Sequence, residues 1–474
     1  MKNSVSIFLL MLCIALLNAC ATDDPTERTY ASRLQFSTDG DYSLVLYNGE
    51  ISSVDGRQLI IKGDTLQLAV ETSTILTGVP YEITYKGEPY TFYRSNLPII
   101  SIDTDDREMN QWSKIDGEIT VIDDGDIDTY DMGIELRGGT SVSFEKKSFT
   151  IELRDDKGDE ISKPLLDMRD DDDWIIDALY NEPLRIRDYI AHDIWLSMGR
   201  TPNLGPEKIR TGIARRFIEV FVNGDYRGIC YLGEKYDRKQ LDLKKYSGTM
   251  ESELYKGHDW GNGNKFKSVD DFDDEEETWS GYEVKFPEED GFTWAVLQGL
   301  VSFVVNNEQA SFNSGVSEYL DIDNMVDYFL FINIIYAEDN HGKNVYTVKY
   351  SKDDPYFFLP WDLDGIVGRN WKGEKVDQTE KLLSSRLFDK FLEYPLFVEK
   401  LKNRWTDLRD LQLAPQTINT QFVKAFEQLK ESGAYEREAL NPDLVFDYSE
   451  DEIEYIKNWI NKKHQFLDQY ITSL

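Results

Sequence analysis

The sequence predicts an α+β protein in which a small β-sandwich precedes a β-rich region and a mostly helical region. Three observations predict it. Residues 28 to 95 hold short alternating runs, RLQFS, YSLVLYN, RQLIIKG, TLQLAVE and YEITYKG, broken by Gly, Asp and Asn. From 98 to about 235 alternation continues around one interval of helical spacing, and from about 236 onward apolar residues recur mainly at three and four. With 474 residues, 41% hydrophobic and 13% aromatic, the chain is long enough for two or three domains with substantial cores.

The N-terminus comes first. Lys2 is followed by SIFLLMLCIALL and then LNAC, a run of signal-peptide length that is too short to span a bilayer. Residues 1 to 19 therefore read as a signal peptide. Leu17, Ala19 and Cys20 resemble a bacterial lipobox, in which the cysteine becomes the lipidated first residue; an ordinary signal cut near Ala19 or Ala21 is the alternative. The resemblance implies an exported lipoprotein in the outer membrane or at the cell surface, held to the membrane through its lipid alone. Asp23 and Asp24 resemble the acidic tag of surface lipoproteins of the Bacteroidetes type. Cys230, in FIEVFVNGDYRGICYLGE, is left without a disulfide partner and suits a small buried role.

Residues 20 to 95 then read as tether and β-sandwich, with a boundary near SNLPII. In the β-rich region, ITVID, GIELRG, SFTIELRD and IEVFVNGDYRGICYLGE alternate, and NGDYRG carries an Asn-Gly turn. PLRIRDYIAHDIWLSMG has helical spacing through Ile186, Ile190, Ile194 and Trp195, with Gly199 able to end the helix. DNMVDYFLFINIIYA reads as a buried helix, NVYTVKY and PYFFLPW as a hairpin, and the chain after 380 as helices. Residues 257 to 277 are polar and glycine-containing enough to be a mobile insertion.

A formal charge of -36 excludes nucleic acid as a natural partner. The acidic runs at 103 to 106, 123 to 128, 170 to 173 and 270 to 277 suit solvated loops, with Ca²⁺ binding as the sharper option. Asp124, Asp126, Asp128 and Glu135 fall at calcium-loop positions 1, 3, 5 and 12. Thr129 stands where glycine is needed, however, and strands flank the run, so a hairpin loop is expected. Four histidines without paired spacing make a zinc site improbable.

Chemistry concentrates in EDNHGKN, residues 338 to 344. Asp339 and Asn344 are separated by four residues, the spacing of a kinase catalytic loop, in which an aspartate takes the substrate proton and an asparagine ligates magnesium. LPWDLDG follows at 359 to 365, where Asp362 and Asp364 sit at alternate positions of a strand end. A hairpin between Asn344 and Asp362 returns the chain to the same edge. Upstream, Lys146 and Lys147 open SFTIEL, and Arg137 with Gly138 and Gly139 ends the preceding strand. Cation, proton acceptor and metal ligands together make a phosphoryl-transfer inventory.

LRGGTSVSFEKKSFTIEL, the LRIRDYIAHDIWLSMG helix, FVNGDYRGICYLGE, EDNHGKNVY and LPWDLDGIVGRNW resemble, in order and spacing, the spore coat protein H (CotH) family of atypical kinases. The resemblance runs from about 98 to the end of the chain. It implies an atypical protein-kinase-like fold of two lobes, about 98 to 235 and 236 to 474, and ATP-dependent phosphorylation of protein Ser residues with Mg²⁺. Carried onto this chain, Asp339 is similar to the catalytic aspartate and Asn344 and Asp362 to magnesium ligands, with Asp364 beside them. Lys147 or Lys146 is similar to the phosphate-contacting lysine, with Arg137 near it, and Glu234 to a glutamate near the link between lobes. The chain lacks G-x-G-x-x-G, and Asp188 and Asp193 both qualify as the acidic partner of the lysine. His341 lies in the loop as a possible substrate contact, and His192 reads as a packed helix residue. The rival expectation is a non-catalytic surface lipoprotein that binds a glycan or host protein.

Overall fold

A computed structural model describes residues 36–198, 211–287, 292–441, 444 and 448–474. The signal segment, Cys20 and Gly199 lie outside the described residues. No described helix is long and apolar enough to cross a membrane.

The first strands form one sheet. Ser37–Asp39, Leu44–Asn48, Ser53–Asp55, Gln58–Ile61, Asp64–Leu68, Tyr81–Tyr85 and Glu88–Ser95 join in the spatial order 1-2-7-6-5-4-3, with Leu44–Asn48 parallel to Glu88–Ser95. Val45, Tyr47, Leu59, Ile61, Ile83 and Phe92 share a core. The two-sheet sandwich expected from the sequence is therefore corrected to a single sheet folded over that core. Alternation marks which face of each strand is buried, but not which strands pair. Leu44 and Leu46, on the other face, pack with Ile99, Ile122, Phe221 and Tyr226 of the next region. Both faces of Leu44–Asn48 are consequently buried.

The β-rich region closes into a seven-stranded barrel. Its strands are Ile99–Asp103, Ile115–Asp123, Asp126–Arg137, Ser148–Arg154, Asp173–Asp177, Arg215–Val222 and Asp225–Gly233. Closure comes from the parallel pairing of the first with Arg215–Val222, Ile100 opposite Val220. Ile102, Ile134, Ile151, Trp174, Ile218 and Leu232 fill the interior. Two hairpins turn through left-handed pairs, Asp124 and Gly125 at φ 46° and 81° and Asn223 and Gly224 at 52° and 86°. Such turns match the strand twist. The calcium-like run is thus the hairpin loop and the strand after it.

Helix Arg187–Ser197 buries Ile190, Ile194 and Trp195 in the largest core, with Phe217 and Ile229 of the barrel on one side and Phe331 on the other. The second half holds a five-stranded sheet as well as helices. Its strands, in spatial order, are Thr278–Trp279, Tyr282–Phe286, Glu253–Gly257, Val345–Lys349 and Phe357–Pro360. Helix Ile322–Ile335 is almost wholly buried, in keeping with its mainly apolar sequence, and Asp321 caps it by accepting from the Asn324 N–H at 3.0 Å. Helices Pro395–Leu408, Pro415–Glu431 and Glu450–Ser473 complete this half.

The segment expected to be a mobile insertion is tied down. Asn264 accepts from Gly261 N–H and donates to the Asp259 and Gly281 carbonyls, and Trp279 donates to the Asp271 carbonyl at 3.1 Å. Its polar residues fold it through side-chain bonds to backbone, which composition alone does not reveal.

Candidate functional site

The EDNHGKN loop begins where helix Ile322–Ile335 ends. Tyr336 takes a left-handed conformation at φ 54°, and Asp339–His341 forms a short 3-10 turn. Asn340 fixes this turn to LPWDLDG from both directions. Its amide donates to the Trp361 carbonyl at 3.0 Å and its oxygen accepts from the Trp361 N–H at 3.1 Å, while Tyr328 donates to the Asn340 carbonyl. The chain continues into Asn344, whose N–H bonds the Gly257 carbonyl at 2.8 Å. Asn344 then donates its side-chain amide to Asp362 Oδ2 at 3.1 Å.

Asn344 and Asp362 both sit in the left-handed region, at φ 54° and 56°. Asn and Asp tolerate it better than other side-chain-bearing residues. Val367, three residues beyond Asp364, also has φ 46°. A β-branched residue there is strained, and such strain gathers at sites that the surrounding structure over-determines. Val367 is held by its N–H to the Ile335 carbonyl at 2.9 Å and by Arg187, which reaches its carbonyl.

Asp339, Asp362 and Asp364 line one cavity of about 430 Å³, together with Trp260, Trp371 and Gln378. Asp362 is exposed, whereas Asp339 and Asp364 are half-buried. Burial pushes the Asp339 carboxyl above its ordinary range; Lys343 opposes the shift, and Asp362 and Glu338 add to it. Asp364 is pushed well up by burial and by the carboxylates of Asp362, Asp188, Asp177 and Asp339. These acids crowd one another without enough cations to balance them.

Asp188, expected only as a candidate acidic partner of the lysine, belongs to the same group. From helix Arg187–Ser197 its Oδ1 accepts the Leu363 N–H at 2.7 Å, holding the residue between Asp362 and Asp364. Its Oδ2 is buried without a hydrogen-bond partner. Burial, then Asp177, raises its pKa to about 7. His192, one helical turn on, is buried; burial and then Arg215 lower its pKa well below the ordinary value, and it packs edge-on against Trp361. Asp193 instead pairs with Arg215 at 2.8 Å.

The upstream cations separate. Lys146 is buried, donating to the Ile229 carbonyl and pairing with Glu438 at 2.7 Å, so its acidic partner is neither Asp188 nor Asp193. Lys147 turns back onto its own loop, donating to the Val142 carbonyl at 2.9 Å and the Phe144 carbonyl. Arg137 approaches the acids: Nη1 lies 3.5 Å from Asp177 Oδ2, and the guanidinium lies 5.3 Å from the Trp361 ring centre. Glu234 is fully buried, accepting from the Ala214 N–H at 2.9 Å and the Arg169 N–H at 3.3 Å, and does not line the cavity. His341 is half-buried beside Trp260, with ring centres 6.1 Å apart.

Asn344 and Asp362 offer hard oxygen ligands next to one another, which suits Mg²⁺ completed by phosphate oxygens. Among the described residues, no three His, Cys, Asp or Glu side chains form a self-sufficient metal cage.

The family described as CotH kinase protein matches residues 134–467. The chain belongs to that family. Inner spore coat protein H of Bacillus subtilis (strain 168) is 23% identical over 398 residues, covering 80% of this chain and 99% of that protein. The family match takes in Arg137, both lysines, Asp188, EDNHGKN and LPWDLDG, and the sheet that precedes it lies outside.

Proposed function

We propose that the chain is an atypical kinase that transfers the γ-phosphoryl group of ATP, with Mg²⁺, to a Ser or Thr hydroxyl of a protein at or outside the cell envelope. The observation that carries this reading is the convergence of Asp339, Asp362 and Asp364 on one cavity, with buried Asn344 hydrogen-bonded to Asp362. In this reading the barrel region and the sheet-and-helix region serve as the two lobes of a kinase-like fold. Export as a lipoprotein anchored through Cys20 rests on SIFLLMLCIALLNAC.

Asp339 orients the acceptor hydroxyl and receives its proton as the oxygen bonds to the γ-phosphorus and the bond to the β-phosphate oxygen breaks. A carboxyl raised above its ordinary range is the better base for that step. Asn344, Asp362 and Asp364 would hold Mg²⁺, which when bound neutralises phosphate charge. Asp188 fixes the backbone between two of these residues, and Asn340 keeps the Asp339 loop in register with them.

The test is nucleotide binding by calorimetry with and without Mg²⁺, followed by phosphate transfer to offered proteins and to the chain itself. Tight binding that requires Mg²⁺, with transfer, supports the reading; neither binding nor transfer ends it. In that event the partly exposed Trp260 and Trp371 at the cavity favour a surface module that binds a glycan or host protein.

A further inference from the structure

Lys256 stands beside the site without a hydrogen-bond or ion-pair contact to any described residue. It lies on strand Glu253–Gly257, and the next residue, Gly257, accepts the Asn344 N–H. In the antiparallel pairing Lys256 is opposite Tyr346, so the two side chains share a face of the sheet. On that face Tyr346 packs against Trp361 at 5.6 Å, and Arg137 lies over the other ring of this pair at 5.3 Å. Two cations, one from the barrel and one from the five-stranded sheet, thus border the same aromatic floor. That floor leads directly into Asp362.

The arrangement is unfavourable as it stands. Burial, and then the charge of Arg137, lower the Lys256 pKa to about 8, with Asp362 pulling the other way. Arg137 has Asp177 for partial compensation, at 3.5 Å, whereas the carboxylate opposite Lys256 in the strand pairing, Glu283, is already bonded by Lys285 at 2.7 Å. The two lysines that open the strand after Arg137 are committed, Lys146 to Glu438 and Ile229 and Lys147 to its own loop. Cations only partly compensated and crowded carboxylates, both near Asp362, match one class of ligand, an oligophosphate chelated to a divalent cation.

We propose that Arg137 and Lys256 form the phosphate-binding pair of the nucleotide site, with Lys256 supplying the free ammonium. The proposal rests on the kinase reading above and adds to it a residue and a division of labour. Lys146 with Glu438 braces the barrel against the C-terminal helices, while Arg137 and Lys256 touch the phosphates.

Calorimetry of the full chain with ATP, ADP and adenosine, each with Mg²⁺, tests it. Lys256→Met and Arg137→Met should each weaken ATP binding about ten- to a hundred-fold, and adenosine binding by less than about two-fold. Lys256→Arg should keep most of the ATP affinity, and Lys256→Gln should behave as the Met variant, with melting curves confirming that each variant is folded. ATP affinity unchanged in the Met and Gln variants, or equal losses for ATP and adenosine, would overturn the proposal and leave the kinase reading standing. A wild-type chain that binds none of the three nucleotides would overturn both.

Discussion

Two acid-rich regions of this molecule treat their carboxylates in opposite ways. At the junction of helix Glu450–Ser473 with the loop after LPWDLDG, Glu452 is buried among Arg187, Arg369 and Lys375, with contacts of 2.7 to 3.0 Å. Burial alone would raise its pKa, yet hydrogen bonds from Arg369, the charge of Arg187 and bonds from Lys375 bring it down to about 2. Glu438, facing Lys146 and Arg185, is likewise lowered against its burial. Around the cavity, Asp188, Asp339 and Asp364 are all raised. An acid supplied with cations braces the fold, and acids left without them stay unbalanced; in the proposed reading a cation arrives with the ligand.

The largest effect should fall on the unbalanced side. Asp339→Ala and Asp362→Ala should each lower turnover by roughly 10² to 10⁴, measured as phosphate transfer from labelled ATP, while melting temperatures change little. A parallel collapse of stability would place both residues with Glu452 and remove the contrast. On the balanced side the effect should reverse: Glu452→Gln removes the buried carboxylate shared by Arg187, Arg369 and Lys375, leaves Arg187 with Glu182 alone, and should cost about 3–5 kcal/mol in urea denaturation.

The pH dependence should tilt in opposite directions. Asp188 has a folded pKa of about 7 against an ordinary 3.8, so its contribution to stability is fully present below 3.8 and lost as pH rises through about 7. Glu452 contributes above its ordinary 4.5 and loses that contribution as pH falls toward about 2. Urea midpoints should show Asp188→Asn gaining on wild type between about pH 4 and pH 7, because Asn keeps an acceptor for Leu363 without the charge. A constant difference across that range would contradict the assignment. The smallest effect is thermal: millimolar Mg²⁺ with ATP should raise the wild-type midpoint by a few degrees, and Asp362→Ala should abolish most of that rise.

What the sequence could tell depended on distance along the chain. Asp339, Asn344 and Asp362 were legible because a five-residue loop and one hairpin join them, and local spacing encodes both. Helix Arg187–Ser197 and the two turns were legible for the same reason. Lys146 and Glu438 are 292 residues apart, and Asp188 and Leu363 are 175 apart, so no periodicity could pair them. Lys256 was hidden in another way. In ELYKG it looks like the polar half of an ordinary strand, and only the pairing with Tyr346 reveals which face it shares. Lys147 shows the converse, since a lysine at a strand start gives no sign of whether it will turn inward or back.

The central claim is that the unbalanced carboxylates at this cavity serve catalysis, and the most direct measurement is transfer of γ-labelled phosphate by wild type and by Asp339→Ala side by side. Mg²⁺-dependent labelling of a protein hydroxyl by wild type, nearly absent in a folded Asp339→Ala, is the predicted result. Labelling that persists in Asp339→Ala, or its absence from wild type across protein acceptors, would contradict it.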